Sequence, residues 1–268
     1  MSTNPPRALV TGASAGSGAA TARLLAREGW RVALLARRAD RLESLARELA
    51  DAGAPTPLVL ACDLCELPQL EASFAEITRT FGGLELLVNN AGLGYRARVE
   101  ELDDALLRRL FATNVLAPMH CCRLALPLLR RGRAPVVVNV ASVVGRRGIP
   151  GQSAYSASKA ALVSLGEALR VEWASERIAV ATLEPALTAT GFFEAQPNPS
   201  GLAVPDLAEA VGPEQVAREI LALARDPRPE VSLRWKWRML AILSVLAPRL
   251  ADRLLVRRLG ERWTAPTR

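Results

Sequence analysis

Short unbroken apolar runs alternate with longer stretches in which apolar residues recur every three or four positions. Ala8 to Thr11, Val32 to Ala36, Pro57 to Cys62, Leu84 to Asn89, Pro135 to Val140 and Ile178 to Leu183 have no polar face. Such runs predict strands buried on both sides of a sheet. Between them, Ala15 to Glu28, Ala39 to Ala52, Glu66 to Phe81, Leu102 to Arg131 and Ser153 to Ser175 read as helices. Leu42, Leu45 and Leu49 form one face of the second, Gly29 stops the first, and Pro118 is expected to kink the fourth. Strand and helix repeat at about 25–30 residues, which with right-handed crossovers predicts an α/β fold built on a doubly wound parallel sheet. Glu230 to Leu233 is the candidate for a last strand. The expected organisation is a catalytic domain over 1–227 and an extension over 228–268.

Charge divides at the same place. The chain of 268 residues has 34 basic and 27 acidic side chains and a net charge of +7. Residues 1–227 hold 24 of each sign, so 228–268, with ten basic and three acidic residues, carry the whole excess. A neutral body gives no support to nucleic acid as a partner, despite a basic chain total. Half the residues are hydrophobic, enough for a large core and too many for a disordered chain. Cys62 and Cys65, with the adjacent Cys121 and Cys122, make neither a disulfide framework nor a zinc site, and read as core thiols in a reducing compartment. No metal is expected. His120 is the sole histidine, in a Leu- and Cys-rich helical stretch, which leaves a Ser-His-Asp triad without a fitting base. Met1 to Arg7 is short and polar, unlike a signal peptide, and points to the cytoplasm.

In open parallel sheets ligands bind beyond the carboxyl ends of the strands, so those ends matter most. After the first strand come Thr11, Gly12, Ser14, Gly16, Ser17 and Gly18. Glycines let the backbone approach a ligand closely, and the following helix start offers free N–H groups to a pyrophosphate. The second strand ends at Ala36, Arg37 and Arg38. An NAD site usually has a carboxylate here, whereas a 2′-phosphate calls for arginine. NADP is therefore the expected cofactor, with NAD the alternative; Arg37 and Arg38 can also be read as solvated residues before a surface helix. Asp63 ends the third strand and either accepts from an adenine amino group or caps the next helix. Asn89, Asn90, Ala91 and Gly92 end the fourth, either holding neighbouring strands and lining the groove or forming an Asx turn.

The fifth strand delivers Ser142. Tyr155 follows, with Lys159 four positions later. On a helix these two share a face, and a fixed ammonium beside a phenol is expected to lower its pKa and suit it to proton transfer. Ser142 can hydrogen-bond a reacting oxygen. The set suits a carbonyl being reduced or an alcohol oxidised, with hydride moving to or from a nicotinamide. Lys159 is one of only two lysines, the other being Lys236, and Tyr155 one of two tyrosines.

Thr11, Gly12, Gly16, Gly18, Asp63, Asn89 to Gly92, Asn114, Ser142, Tyr155 and Lys159 together resemble the short-chain dehydrogenase/reductase family over about Arg7 to Ala224. The resemblance implies a Rossmann-type fold and a homo-oligomer, dimer or tetramer. It assigns Tyr155 as acid/base, Ser142 to orienting the carbonyl, Lys159 also to the nicotinamide ribose, and Asn114 to a water that links Lys159 to solvent. Pro185, Thr188 and Thr190 fall where the family meets the nicotinamide carboxamide or the phosphates. Ala186 departs from the family's glycine, and Thr188 from its Val or Ile. The rival function is a cofactor-binding scaffold or sensor without turnover.

Substrate loops are expected to offer Leu93, Tyr95, Val143, Val144, Ile149, Phe192 and Phe193, with Arg96, Arg98, Arg146 and Arg147 as the few charges. That bias points to a hydrophobic ketone or alcohol. Residues 234–262 combine basic and apolar positions with Trp235 and Trp237, and Trp263 follows. Met239 to Ala247 is too short to span a bilayer. Between Arg249 and Leu259, helical angles group Leu250, Ala251, Leu254, Leu255 and Leu259 on one half. This tail is expected to lie on the inner face of a membrane, to cover the pocket or an oligomer interface, or to remain a basic appendage.

Overall fold

A computed structural model describes residues 4–188, 191–202 and 210–259. Among them a seven-stranded sheet runs in the order β3-β2-β1-β4-β5-β6-β7, every neighbouring pair parallel. The strands are β1 Arg7–Thr11, β2 Arg31–Ala36, β3 Leu58–Ala61, β4 Leu86–Asn89, β5 Val136–Val140, β6 Ala179–Glu184 and β7 Glu230–Ser232. The helices are α1 Gly16–Arg27, α2 Ala39–Asp51, α3 Leu67–Phe81, α4 Asp104–Phe111, α5 Ala117–Leu129, α6 Ser153–Glu172, α7 Phe192–Ala195, α8 Pro213–Arg225, α9 Trp235–Leu246 and α10 Pro248–Leu259.

Alternate residues of each strand feed two separate core layers. In β1, Ala8 and Val10 join the layer under α1, α2 and α8, while Leu9 joins the layer under α3, α5 and α6. β5 divides likewise, Val136, Val138 and Val140 to the first and Val137 to the second. That two-sided burial is why the strand runs carry no polar face. Each fully buried Leu or Val in these layers contributes about 1.5–3 kcal/mol. The predicted face of α2 is buried as drawn, with Leu42, Leu45 and Leu49 in the first layer.

Two elements differ from the sequence pattern. The stretch 102–131 is interrupted by a π-type turn at Ala112–Leu116 between α4 and α5. Pro118 is the cause, but the distortion falls one turn earlier: Pro118 has no N–H for the carbonyl of Asn114, four residues before it, and its ring crowds that carbonyl. Among the described side chains of α10, Ala251 and Leu255 are buried, whereas Leu250 and Leu254 are exposed, so the predicted half does not face inward as a unit. The side chain of Leu259, together with Thr190, Arg262 and Trp263, lies outside the described residues. β7 forms where expected, pairing Thr182 with Glu230.

Candidate active site

The strand order reverses between β1 and β4, each of which has its sequence neighbour on the far side. Their carboxyl ends diverge there, with those of β5 and β6 alongside, around a cleft of about 460 Å³.

The turn after β1 forms one wall. Gly12 and Gly16 have φ of +69° and +53°, a region that side chains resist. A Cβ on Gly18 would stand 2.3 Å from the Gly12 carbonyl oxygen, so α1 can cross the turn this closely only on a glycine. No side chain caps α1 and no acid sits in its first turn. Its leading N–H groups therefore face the cleft side with a positive helix end, a fit for a pyrophosphate. Ser14, Arg37, Arg38 and Arg41 line the cleft beyond, around Ala36. Arg38 donates to Ser14 Oγ at 2.9 Å through Nη2. This cluster of guanidinium groups around an alanine suits a phosphate on the ribose.

Asp63 lines the cleft but does not cap α3, whose cap position is Glu66. Its carboxylate accepts from the Cys65 N–H and from Arg109 Nη2, at 3.0 and 2.5 Å. Burial pushes this carboxyl up, but the Cys65 N–H and Arg109 outweigh it and hold the pKa below the ordinary value. A carboxylate has about four acceptor sites, so each oxygen keeps room for a further donor.

Thr11 and Asn90 act as fasteners between β1 and β4. Thr11 Oγ1 donates to Val88 O and accepts from the N–H groups of Asn90 and Ala91; Asn90 Nδ2 donates to Thr11 O at 2.9 Å. Asn89 is buried away from the cleft and donates to Asn139 Oδ1 at 2.9 Å.

Ser142, Tyr155, Lys159, Pro185 and Thr188 line the inner end of the cleft together with Asn90, Ala91 and Gly92. Ser142 starts the turn Val143–Gly145, and its hydroxyl reaches toward Pro185 O at 3.5 Å. Lys159 donates from Nζ to Val140 O at 2.9 Å and stands 6.0 Å from the Tyr155 ring centre. Phe192 packs against that ring at 5.8 Å. Burial raises the Tyr155 phenol well above its ordinary value, with Ser142 working against the shift. Burial also lowers Lys159 to about 8. The expected acidification of the phenol by the ammonium is therefore not what the protein alone provides: both groups are desolvated, and burial wins.

Thr11, Gly18 and Asn114 do not line the cleft. Asn114 sits in the π-type turn, fully buried, bonded to Leu93 and to Ser158 Oγ. Of the expected substrate-loop residues, Leu93 and Phe192 line the cleft, whereas Val144 and Ile149 line a different cavity beside α10. Tyr95 is buried and its hydroxyl accepts from the Asp103 N–H. Arg146 and Arg147 face acids rather than the cleft: Glu184, Glu167 and Glu230 for the first, Asp252 for the second. Phe193's side chain is outside the described residues. Arg41 and Arg109 are cleft residues that the motifs did not flag. Arg41 lies in the first turn of α2, next to the arginines before it; Arg109 meets Asp63 only through the tertiary fold. No residue of 234–257 lines the cleft.

The family model for short chain dehydrogenase matches residues 6–200. Dehydrogenase/reductase SDR family member 7B of Bos taurus is 32% identical over 260 residues, 93% of this chain and 80% of that protein. An alcohol dehydrogenase from the archaeon Thermococcus sibiricus, complexed with 5-hydroxy-NADP, superposes with a TM-score of 0.78 at 29% identity, covering 86% of this chain and 97% of that one. A short chain dehydrogenase/reductase from Burkholderia phymatum in complex with NAD gives 0.83 at 25% identity, covering 93% and 96%.

Proposed function

The chain belongs to the short chain dehydrogenase family and is an NAD(P)-dependent oxidoreductase acting on CH–OH and C=O groups; on that premise we propose that it is an NADP-dependent reductase of hydrophobic carbonyl compounds. The observation that carries this reading is the convergence of Ser142, Tyr155 and Lys159 at one end of a cleft whose other end holds Arg37, Arg38 and Arg41.

When bound, the reduced nicotinamide supplies hydride to the carbonyl carbon. Ser142 donates a hydrogen bond to the carbonyl oxygen, and Tyr155 gives that oxygen its proton. A phenol raised by burial is fully protonated at neutral pH, which suits it to the acid's part in reduction. Lys159 is held by Val140 O beside Tyr155 and favours the phenolate left behind. Gly12, Ser14, Gly16 and Ser17 would hold the pyrophosphate, with Thr11 and Gly18 shaping the turn behind them; Asp63 would take the adenine, and Gly92, Pro185 and Thr188 the nicotinamide. Ala36 leaves no carboxylate to repel a 2′-phosphate. Leu93 and Phe192 give the substrate end an apolar wall. In the same reading residues 1–227 are the catalytic domain of a cytoplasmic homo-oligomer, and 234–262 make a peripheral contact with a membrane.

The test is NADPH oxidation with a panel of lipophilic ketones, for wild type and Tyr155→Phe. Loss of about 10²–10⁴-fold in rate is expected in the variant, with NADPH binding retained. A wild-type rate in Tyr155→Phe would refute the mechanism. NADPH binding without turnover of any ketone in the wild-type protein would favour a scaffold.

A further inference from the structure

The tail of the molecule is apolar on more sides than it buries: in α9, Trp237, Leu240 and Leu243 are half-buried while other large apolar side chains stand in solvent. α9 has no buried residue, and among the described residues eight of the thirteen exposed large hydrophobic side chains lie between Trp235 and Val256. Trp235, Met239, Ile242 and Leu246 fall within about 60° of one another at about 100° per residue, so they form one stripe along α9. Trp235 is 72% and Leu246 79% exposed. Lys236 lies on one flank of the stripe and Arg238 on the other, both exposed. α10 repeats the arrangement: Leu250 and Leu254 are exposed, with Arg249, Arg253 and Arg257 beside them.

This outward face is not waiting to fold inward. α10 is already anchored by its other side, through buried Ala251 and Leu255 and through the ion pair of Asp252 with Arg147. That side walls a cavity of about 660 Å³ with Val144, Ile149 and Pro150, in the loop that follows Ser142.

We propose that the exposed stripes of α9 and α10 dock in the plane of an anionic lipid surface, apolar side chains in the acyl boundary and flanking cations on the headgroups. The proposal rests on the reading of 234–262 as a peripheral membrane contact and fixes the residues that make it. Charge decides between a membrane and a second copy of the chain. Residues 234–257 carry six cations, and their one acid, Asp252, is engaged by Arg147. Two copies meeting through this face would set cations against cations, which is costly at an interface. An anionic bilayer meets the same pattern with opposite charge, and long basic side chains reach outward from an apolar stripe to headgroups. Among the described residues no helix is long and apolar enough to cross a membrane, and α9, about 18 Å long, falls well short of a hydrocarbon core of about 30 Å, so a membrane contact here lies along the surface.

The experiment is co-sedimentation of the full chain with phosphatidylcholine vesicles and with vesicles enriched in phosphatidylglycerol, for wild type, Ile242→Asp/Leu246→Asp and Arg249→Gln/Arg253→Gln. Because all four side chains are exposed, retained circular dichroism and melting temperature check each variant's fold. Wild type is expected to bind anionic vesicles and leave neutral ones, with salt of about 0.5 M weakening the binding. The aspartate pair is expected to weaken it about tenfold or more, and the glutamine pair to weaken it less. Binding by the aspartate pair equal to wild type would overturn the assigned face while leaving a membrane contact standing. Absence of wild-type binding would overturn both, without touching ketone reduction measured in the same preparation. A concentration-dependent mass doubling without lipid, abolished by Ile242→Asp/Leu246→Asp, would give the face to a second copy and overturn the proposal.

Discussion

Asn114 grips the backbone of Leu93 from both sides: its Nδ2 donates to Leu93 O at 2.9 Å while its Oδ1 accepts from Leu93 N–H at 2.8 Å. The same Nδ2 donates to Ser158 Oγ at 3.0 Å, and Ser158 neighbours Lys159 on α6. One side chain thus ties the loop after β4, the π-type turn and the catalytic helix together. Asn114→Leu removes both partners of Leu93 inside the protein and is expected to destabilise it by about 2–3 kcal/mol. It should also raise KM for the ketone, because Leu93 lines the cleft. Thermal melts and steady-state kinetics measure both; an unchanged melting temperature would refute the clamp.

Arg37 and Arg38 supply the second expectation. Charge-assisted hydrogen bonds contribute about 1.5–3 kcal/mol each. Arg37→Ala/Arg38→Ala removes two of them and is therefore expected to weaken NADPH binding about 10²–10⁴-fold and NADH binding by little, since only the former carries the 2′-phosphate. Fluorescence titration of both cofactors decides it. Equal losses for the two would mean that these arginines serve the shared part of the dinucleotide.

How much of this was legible in the sequence follows from the distance over which each residue acts. The glycine turn, the arginines after β2 and the Tyr155/Lys159 pair are local features: each carries its meaning in residue type and spacing, and each lies in the cleft. Asn114 was legible only through family resemblance, because its partner Leu93 is 21 residues away and the π-type turn that aims it comes from Pro118. Arg146 misled for the same reason. In the sequence it is a charge in a substrate loop; in the fold it belongs to Glu184, 38 residues on. Val144 and Ile149 show how a loop can sit beside a catalytic serine and still turn its side chains to another cavity.

Lys159 makes stability depend on pH in a defined direction. Its pKa is about 8 in the folded protein against an ordinary 10.5. Between those values the unfolded chain binds more protons, so this group's contribution to stability rises with pH from about 8 to about 10.5. Cys62, Cys121, Cys122 and Tyr155 are all raised by burial and act oppositely as pH passes their ordinary values. Comparing wild type with Lys159→Met cancels those groups. The variant loses the bond to Val140 O, about 1 kcal/mol, but escapes a burial cost on the order of 3 kcal/mol at neutral pH. It is expected to be the more stable protein near pH 7 and to lose that advantage toward pH 10. Melting temperatures across that range test this; an advantage that is constant or grows with pH contradicts it.

Arg146 joins the three pieces of chain that hold the catalytic end. It lies one residue after the turn that Ser142 begins, and its guanidinium meets Glu184 at the end of β6 at 2.6 Å, Glu230 in β7 at 2.7 Å and Glu167 on α6 at 3.0 Å. Glu184 is the buried member, its side chain 7% exposed. Burial raises its pKa even against the pull of Arg146, which marks it as a charge that tolerates no loss of its partner. Arg146→Met is expected to cost about 3 kcal/mol, since an unpaired buried carboxylate is worse than no carboxylate at all. It should also lower kcat, because the Ser142 turn and Pro185 are no longer drawn together. Arg146→Met/Glu184→Leu removes the orphaned charge and is expected to recover most of the stability, yet not the rate. Full recovery of both would show that the cluster carries charge balance alone. Recovery of neither would place its effect in packing around β6 rather than in the ion pair.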